Sequence, residues 1–415
     1  MQKIKKHFIK FFLIIISLNL SLMSLGSLAK ADSNSFFNMD ARSAYAIDAE
    51  TGQVLYEKNA QKTYPIASVV KIVTLGVIEQ DIRDHKLSWN QKITISPEIA
   101  KMSTDSRLSN VELIAGAKYT VRQLVESMML VSADGSTQAL AIASAGSTAA
   151  FNKKMKKFVK DAGVTDEKIY NAIGLPNSYM GSYKLKGVDN NAENKFSAKD
   201  VALISKYLVD KYPETTKITS KKFAKFGPTA EAEQQIVNIN SLLPQNGTAP
   251  TGWNIDGLKT GNTDDAGKCI VTTGTYNGHR VVVVALHTVD DWAQQGLMLK
   301  KFYEDLSAKY DPVTLGSTKE LPRKFQKRHV AHAKKHHSTR LELVKPVTLW
   351  IPKGSNWKQN HPKFKPDKQH RSIMGFLEAP FEKGDKVGYI RFNPSGMPSV
   401  KVPVKAISTI KKALF

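Results

Sequence analysis

At 415 residues, 41% hydrophobic and 23% charged, the chain is long enough for one large domain and a smaller one, and its composition excludes wholesale disorder. The formal charge of +23 looks like that of a nucleic-acid binder only until it is divided: residues 1–31 hold five Lys and no acid, residues 32–315 net +2, and residues 316–415 net +16. One cysteine, Cys269, excludes an intrachain disulfide, and within GKCIVTTG it reads as a small buried hydrophobe.

Residues 1–31 read as a signal peptide. Lys3, Lys5, Lys6 and Lys10 form a positive start, FFLIIISLNLSLMSLGSL the apolar stretch, and Ala29-Lys30-Ala31 a small-x-small cleavage site before Asp32. The rival is an uncleaved anchor, but Ser, Asn and Gly thin the run. An exported protein meets lipid headgroups and wall polymers rather than chromosomes. The basic C-terminal region therefore points to an anionic membrane surface or wall polymer as partner, and to no nucleic acid.

From 41 to 59 the chain alternates apolar and polar about an ETG turn, predicting a β-hairpin. PIASVVKIVTLGVIEQDI follows as a helix, apolar on nearly all sides from Val69 to Ile78 and hence buried. Two helices are expected to flank VSADGS within 118–145, with others at 151–161 and 197–210. GKCIVTTGTYNGHRVVVVALH predicts a hairpin turning at Asn277-Gly278, two residues that tolerate positive φ. Helices interleaved with hairpins give a mixed α+β domain over 32–315.

Beyond it, 316–403 reads as a small, basic, β-rich domain whose first part, 319–340, is linker-like and rich in His and Lys. His329, His332, His336 and His337 would need a helix to share a metal, and the surrounding cations oppose a dication, so no metal is expected there. In residues 404–415, Val404, Ile407, Ile410 and Leu414 fall on one helical stripe with Lys405, Lys411 and Lys412 elsewhere, which predicts a short amphipathic helix lying on a membrane surface.

Three short stretches carry chemistry. Ser68-Val69-Val70-Lys71 puts a hydroxyl and an amine on one helical face, where a desolvated Lys can deprotonate the Ser. Lys259-Thr260-Gly261 on a strand edge offers charge and hydroxyl to a carboxylate, with Gly leaving room for a substrate backbone. Each triplet alone is weak. In order, with Ser132 between them, they match the signature of penicillin-binding proteins and serine β-lactamases, Ser-x-x-Lys, then Ser-x-Asn or a near variant, then Lys-Thr-Gly.

AIDAETGQVLYEKNAQKTYPIASVVKIVT, YTVRQLVESMMLVSADGSTQALA, NAIGLPNSYMG and IDGLKTGNTDDAGKCIVTTG resemble the low-molecular-mass penicillin-binding proteins that are D-alanyl-D-alanine carboxypeptidases, as does LEAPFEKGDKVGYI in the second domain. The resemblance implies a β-lactamase/transpeptidase-like catalytic domain, an antiparallel sheet flanked by helices, followed by a small all-β domain and a terminal helix. It implies that Ser68 attacks the bond between the terminal D-alanines of a peptidoglycan pentapeptide stem, with Lys71 as base and Ser132 as proton relay. Lys259 and Thr260 would hold the carboxylate, beside Gly261, and the backbone N–H groups of Ser68 and Asn262 would hold the oxyanion. β-Lactams would acylate the same Ser68, and no cofactor is involved. The protein would work on the outer face of the cell membrane, attached peripherally through its C-terminus.

One position departs from the family pattern: Asp134 stands where Asn is usual. Asn donates and accepts hydrogen bonds, whereas an ionised Asp only accepts, and its charge favours a protonated Lys71. Asp134 is expected to line the site rather than serve only as a turn residue beside Gly135, pairing mainly with Lys259 or turning towards the loop. Two other functions compete with the carboxypeptidase: a non-catalytic wall- or membrane-bound protein on a decayed penicillin-binding fold, and, less favoured, a β-lactamase, for which no ExxLN stretch is present.

Overall fold

The alternation at 41–59 becomes strands β1 (Ala41–Asp48) and β2 (Val54–Lys58) in the computed structural model, which describes residues 35–165 and 168–414. The expected signal peptide at 1–31 lies outside the described residues. Strands β3 (Asn254–Gly261), β4 (Cys269–Tyr276) and β5 (His279–Thr288) complete an antiparallel sheet ordered β2-β1-β5-β4-β3. Asn277 and Gly278 turn β4 into β5 with φ of 48° and 80°, the left-handed pair a tight hairpin needs.

Both faces of this sheet are covered, which explains the unbroken run of valines in β5. Successive side chains point to opposite faces. Val282, Val284 and Leu286 join Tyr45, Ile47 and Val271 on one side, while Val281, Val283 and Ala285 join Ala44, Ala46 and Ile270 on the other. The second face is closed by helix α7 (Trp292–Lys309) through Leu299, Phe302, Tyr303 and Leu306.

The first face carries the helical layer: α1 (Lys71–Arg83), α2 (Val121–Leu130), α3 (Asp134–Ala145), α4 (Thr148–Asp161), α5 (Ala198–Lys211) and the short α6 (Glu214–Thr219). Helix α1 is buried continuously from Lys71 to Glu79, as its all-round apolarity predicts, and packs against α3, α4 and α5. A capping box at Thr120 and Gln123 fixes where α2 begins, and hence where it delivers Ser132.

Strand β6 (Tyr310–Leu315) leaves this α+β region and pairs antiparallel with β9 (Val347–Pro352). The second region is all-β: β7 (Lys327–Ala331), β8 (Ser338–Leu343), β10 (Lys363–Pro366), β11 (Leu377–Glu378), β12 (Lys386–Phe392) and β13 (Val400–Ala406), ordered β10-β12-β13-β8-β7-β11. Its junction with the first region is specific. Trp350 donates its indole N–H to Asp48 Oδ2 at 2.9 Å, and its backbone exchanges hydrogen bonds of 2.8 and 3.0 Å with the Gln53 amide.

Two expectations are corrected here. The linker-like stretch 319–340 is part of the β domain: Leu321, Phe325, Val330 and Ala333 are buried in its core, and the cations that dominated its composition point outward. The amphipathic helix expected at 404–415 does not form. Val402, Val404 and Ala406 are buried while Lys401 and Pro403 are exposed, a period-two pattern that belongs to β13, and Ile410 and Lys412 bridge to Phe381 and Ala333. Among the described residues no helix is long and apolar enough to cross a membrane.

Candidate active site

Ser68 lies in a single 3-10 turn, Ala67–Val70, that leads directly into α1, and Lys71 is the first residue of that helix. Lys71 Nζ is 2.7 Å from Ser68 Oγ and 3.3 Å from Ser132 Oγ. It also donates to Asp134 Oδ1 at 2.7 Å and to the Ile173 carbonyl at 3.0 Å. Those last two atoms are acceptors only. They occupy both N–H bonds of a neutral amine and leave its lone pair to the hydroxyls, the arrangement a general base requires.

Two glycines bring the other walls this close. A Cβ on Gly261 would sit 2.9 Å from the Ile66 carbonyl and 3.0 Å from the Ser68 nitrogen, so only Gly lets edge strand β3 lie against the turn that carries Ser68. Gly174, at φ +94°, would put a Cβ 2.1 Å from the Ala67 oxygen; its freedom allows the loop carrying Ile173 to pass beneath Ser68. Asn171 holds that loop by accepting from the Ile173 and Gly174 N–H groups through Oδ1.

Between α2 and α3 the chain turns sharply at Ser132, which adopts φ 64° in the left-handed region. The turn points Ser132 and Asp134 into one site. Asp134 opens α3 and is clamped by Ser109: its N–H donates to the Ser109 carbonyl at 2.7 Å, and its Oδ2 accepts from the Ser109 N–H at 3.2 Å. The expectation that Asp134 pairs mainly with Lys259 is thereby corrected. Lys259 Nζ instead donates to the Thr260 carbonyl at 2.9 Å, and the carboxylate, fixed by Ser109, meets Lys71.

The electrostatics follow from burial. Lys71, Asp134 and Lys259 are 0%, 1% and 2% exposed. Loss of solvent pushes the Lys71 ammonium below its usual range, and the Asp134 charge opposes that shift. Lys259 is pushed well below the lysine range by burial and then by the Lys71 charge, again opposed by Asp134. Burial raises the Asp134 carboxyl, with Lys71 pulling it back. Two amines and one carboxyl group thus share a desolvated pocket, where burial works against the charge on each.

That pocket opens into a cleft of about 740 Å³ lined by Ser68, Ser132, Asp134, Thr260, Gly261 and Asn262. Lys71 and Lys259 stand behind these residues. A family profile described as D-alanyl-D-alanine carboxypeptidase matches residues 29–289.

The chain belongs to the D-alanyl-D-alanine carboxypeptidase family.

It is accordingly a serine-type D-Ala-D-Ala carboxypeptidase acting in peptidoglycan metabolism. Among relatives of this carboxypeptidase, DacF of Bacillus subtilis is 25% identical over 91% of this chain and 87% of its own length. DacA of Escherichia coli K12 is 27% identical over 91% and 85%. A crystal structure of PBP3 from Streptococcus pneumoniae, titled a peptidoglycan synthesis regulatory factor, superposes with a TM-score of 0.66 at 27% identity, covering 90% of this chain and 100% of its own. Penicillin-binding protein D2 of Listeria monocytogenes, in its cefotaxime-bound form, covers 65% of this chain and 95% of its own with a TM-score of 0.51 at 27% identity.

All eight residues singled out in the sequence converge on one place. What the sequence did not mark is the backbone that holds them: the Ile173 carbonyl and the Ser109 peptide. Arg107, paired through two contacts with Asp105, and Trp292 at the head of α7 also line the cleft. NAIGLPN signalled the first of these segments only by its resemblance. The His residues are dispersed: His329 stacks on His337 with ring centroids 6.5 Å apart, while His332 Nδ1 lies 2.9 Å from Glu378 Oε1.

Proposed function

We propose that Ser68 is the nucleophile, Lys71 its base and Ser132 the relay that delivers a proton to the departing amine. Ser68 Oγ attacks the carbonyl carbon between the two terminal D-alanines of a pentapeptide stem, and its proton passes to Lys71 Nζ. The C–N bond breaks, D-alanine leaves carrying a proton returned through Ser132, and an ester to Ser68 remains. Water hydrolyses that ester and restores the enzyme. Lys259 and Thr260 bind the terminal carboxylate beside Gly261. The N–H groups of Ser68 and Asn262 receive the oxyanion. Asp134, in the position of an Asn, sets the charge on Lys71.

The observation that carries this reading is the 2.7 Å contact between Lys71 Nζ and Ser68 Oγ with Lys71 fully buried. A decayed site would have no need to keep a desolvated amine against a hydroxyl. β-Lactams are proposed to acylate Ser68 in the same way. Intact-protein mass spectrometry after exposure to benzylpenicillin tests the assignment: one drug mass is added to the wild type and none to Ser68→Ala. Labelling that survives Ser68→Ala removes Ser68 from the role.

We further propose that the enzyme works outside the cytoplasm and is held peripherally at an anionic membrane surface by its C-terminal region. The +16 charge of residues 316–415 supports this.

A further inference from the structure

In the β domain, the loop between Arg371 and Leu377 leaves all but one of its side chains exposed. Arg371 and Leu377 form an isolated bridge, and the chain between them folds back on itself. Gly375 N–H donates to the Ser372 carbonyl at 2.8 Å, Ser372 N–H to the Phe376 carbonyl at 3.0 Å, and Phe376 N–H to Ser372 Oγ at 3.0 Å. At its tip stand Ile373, Met374 and Phe376, which are 108%, 82% and 51% exposed. Single exposed apolar side chains need no explanation, but three at one projecting turn mark a contact with an apolar phase.

Three features identify that phase as lipid. A tip of three side chains is far smaller than the roughly 800 Å² per partner of a stable protein interface, and a few apolar side chains are enough for a shallow interfacial insertion. The hydrogen bonds closing the turn would let its backbone leave water without stranding those donors. The segment leading into the loop is cationic, with Lys365, Lys368 and Arg371 exposed; Asp367 is met by Lys386 at 3.8 Å, and Glu378, just beyond the loop, by Lys412 at 3.4 Å. An apolar tip next to a cationic segment fits a layer whose surface is phosphate and whose interior is hydrocarbon.

We propose that the loop 372–376 inserts into an anionic phospholipid bilayer and is the element through which the β domain grips the membrane. The proposal rests on the peripheral-attachment reading above and replaces the helix expected at 404–415 with a loop. Cations alone would give a loose, salt-sensitive association, and the tip makes it persistent.

The test uses the chain from Asp32 onward, which keeps the whole compact unit Ser35–Phe415. Co-sedimentation with vesicles of phosphatidylglycerol and phosphatidylcholine compares the wild type with the triple variant Ile373→Ser, Met374→Ser, Phe376→Ser. The variant is expected to bind at least ten-fold more weakly while releasing D-alanine from a soluble pentapeptide at the wild-type rate. In a second measurement an environment-sensitive dye is placed on Ile373→Cys; the native Cys269 is fully buried and stays unlabelled. Emission should shift to the blue on anionic vesicles and be quenched by acyl-chain spin labels. Equal binding of the triple variant, or a dye that stays in water on bound protein, overturns the loop and leaves cationic attachment standing. A wild type that ignores anionic vesicles, including one that binds only isolated wall polymer, overturns both.

Discussion

Lys71 Nζ and Asp134 Oδ1 lie 2.7 Å apart with both side chains closed to solvent, so the base proposed for Ser68 is also one half of a buried ion pair. The two influences on Lys71 oppose each other. Burial drives the proton off, and the carboxylate keeps it on. The Ser109 backbone fixes the carboxylate in place, so Asp134 cannot swing away to relieve the conflict.

Replacing Asp134 by Asn removes the anion and keeps the shape. With its counter-charge gone, Lys71 loses its proton at lower pH. The deprotonated, active form then persists further into acid. The acidic limb of kcat/KM should move to lower pH, with turnover at neutral pH equal or higher. A limb that stays in place would show that Asp134 does not control Lys71.

Gly261→Ala tests the packing of β3 against the turn that carries Ser68. The added methyl would meet the Ile66 carbonyl at 2.9 Å and the Ser68 nitrogen at 3.0 Å. Strand and turn must separate, and a shift of this size in a positioned site costs about 100-fold in kcat/KM. Stability should fall as well, by about 1–3 kcal/mol for an overpacked buried contact. Wild-type acylation by penicillin in Gly261→Ala would mean that the strand has slack the contact distances deny.

Glu79 lies on α1 eight residues beyond Lys71, and burial raises its carboxyl to about 8 while Thr215 Oγ1 lies 3.1 Å from each of its oxygens. Its folded pKa exceeds its unfolded one, so its contribution to stability is full below the usual carboxyl pKa near 4.5, is lost as pH climbs to about 8, and is flat above. Glu79→Gln keeps a neutral group there at every pH. Its Tm should exceed the wild type's at pH 8–9 and match it near pH 4.5. A difference that is the same at both pH values would refute a neutral, buried Glu79.

Trp350→Phe keeps an aromatic ring at the junction of the two regions but leaves Asp48 Oδ2 without the indole donor. Asp48 is fully buried, so the unmet acceptor alone should cost about 1–3 kcal/mol in urea unfolding. A loss below about 0.5 kcal/mol would place water at that carboxylate and weaken the view that this contact joins the regions.

Much of this was readable from sequence because the relevant signals are local. Alternation at 41–59 and the Asn277-Gly278 turn specify strands by period and by backbone tolerance. The run from Val69 to Ile78 specifies a helix buried on all sides, and it made Lys71 anomalous before any contact was known. The partners of Lys71 were less readable. A carbonyl such as that of Ile173 belongs to no residue type, and the Ser109 clamp on Asp134 joins positions 25 residues apart in sequence. At the C-terminus Val404 and Ile410 fit both a helical stripe and an alternating strand. Pairing of β13 with β8 and β12 decides for the strand, and short-range spacing carries no trace of that pairing. The exposed tip at 373–376 was equally silent, because apolar residues in a loop look the same in sequence whether buried or projecting.

The most direct test of the catalytic account is D-alanine release from a pentapeptide ending in D-Ala-D-Ala, measured for the chain from Asp32 onward and for Ser68→Ala. Release by the wild type and none by the variant is the expected result, and it would show that Asp134 is compatible with turnover. A folded wild type that releases no D-alanine, or a Ser68→Ala variant that releases it as fast, would contradict the account.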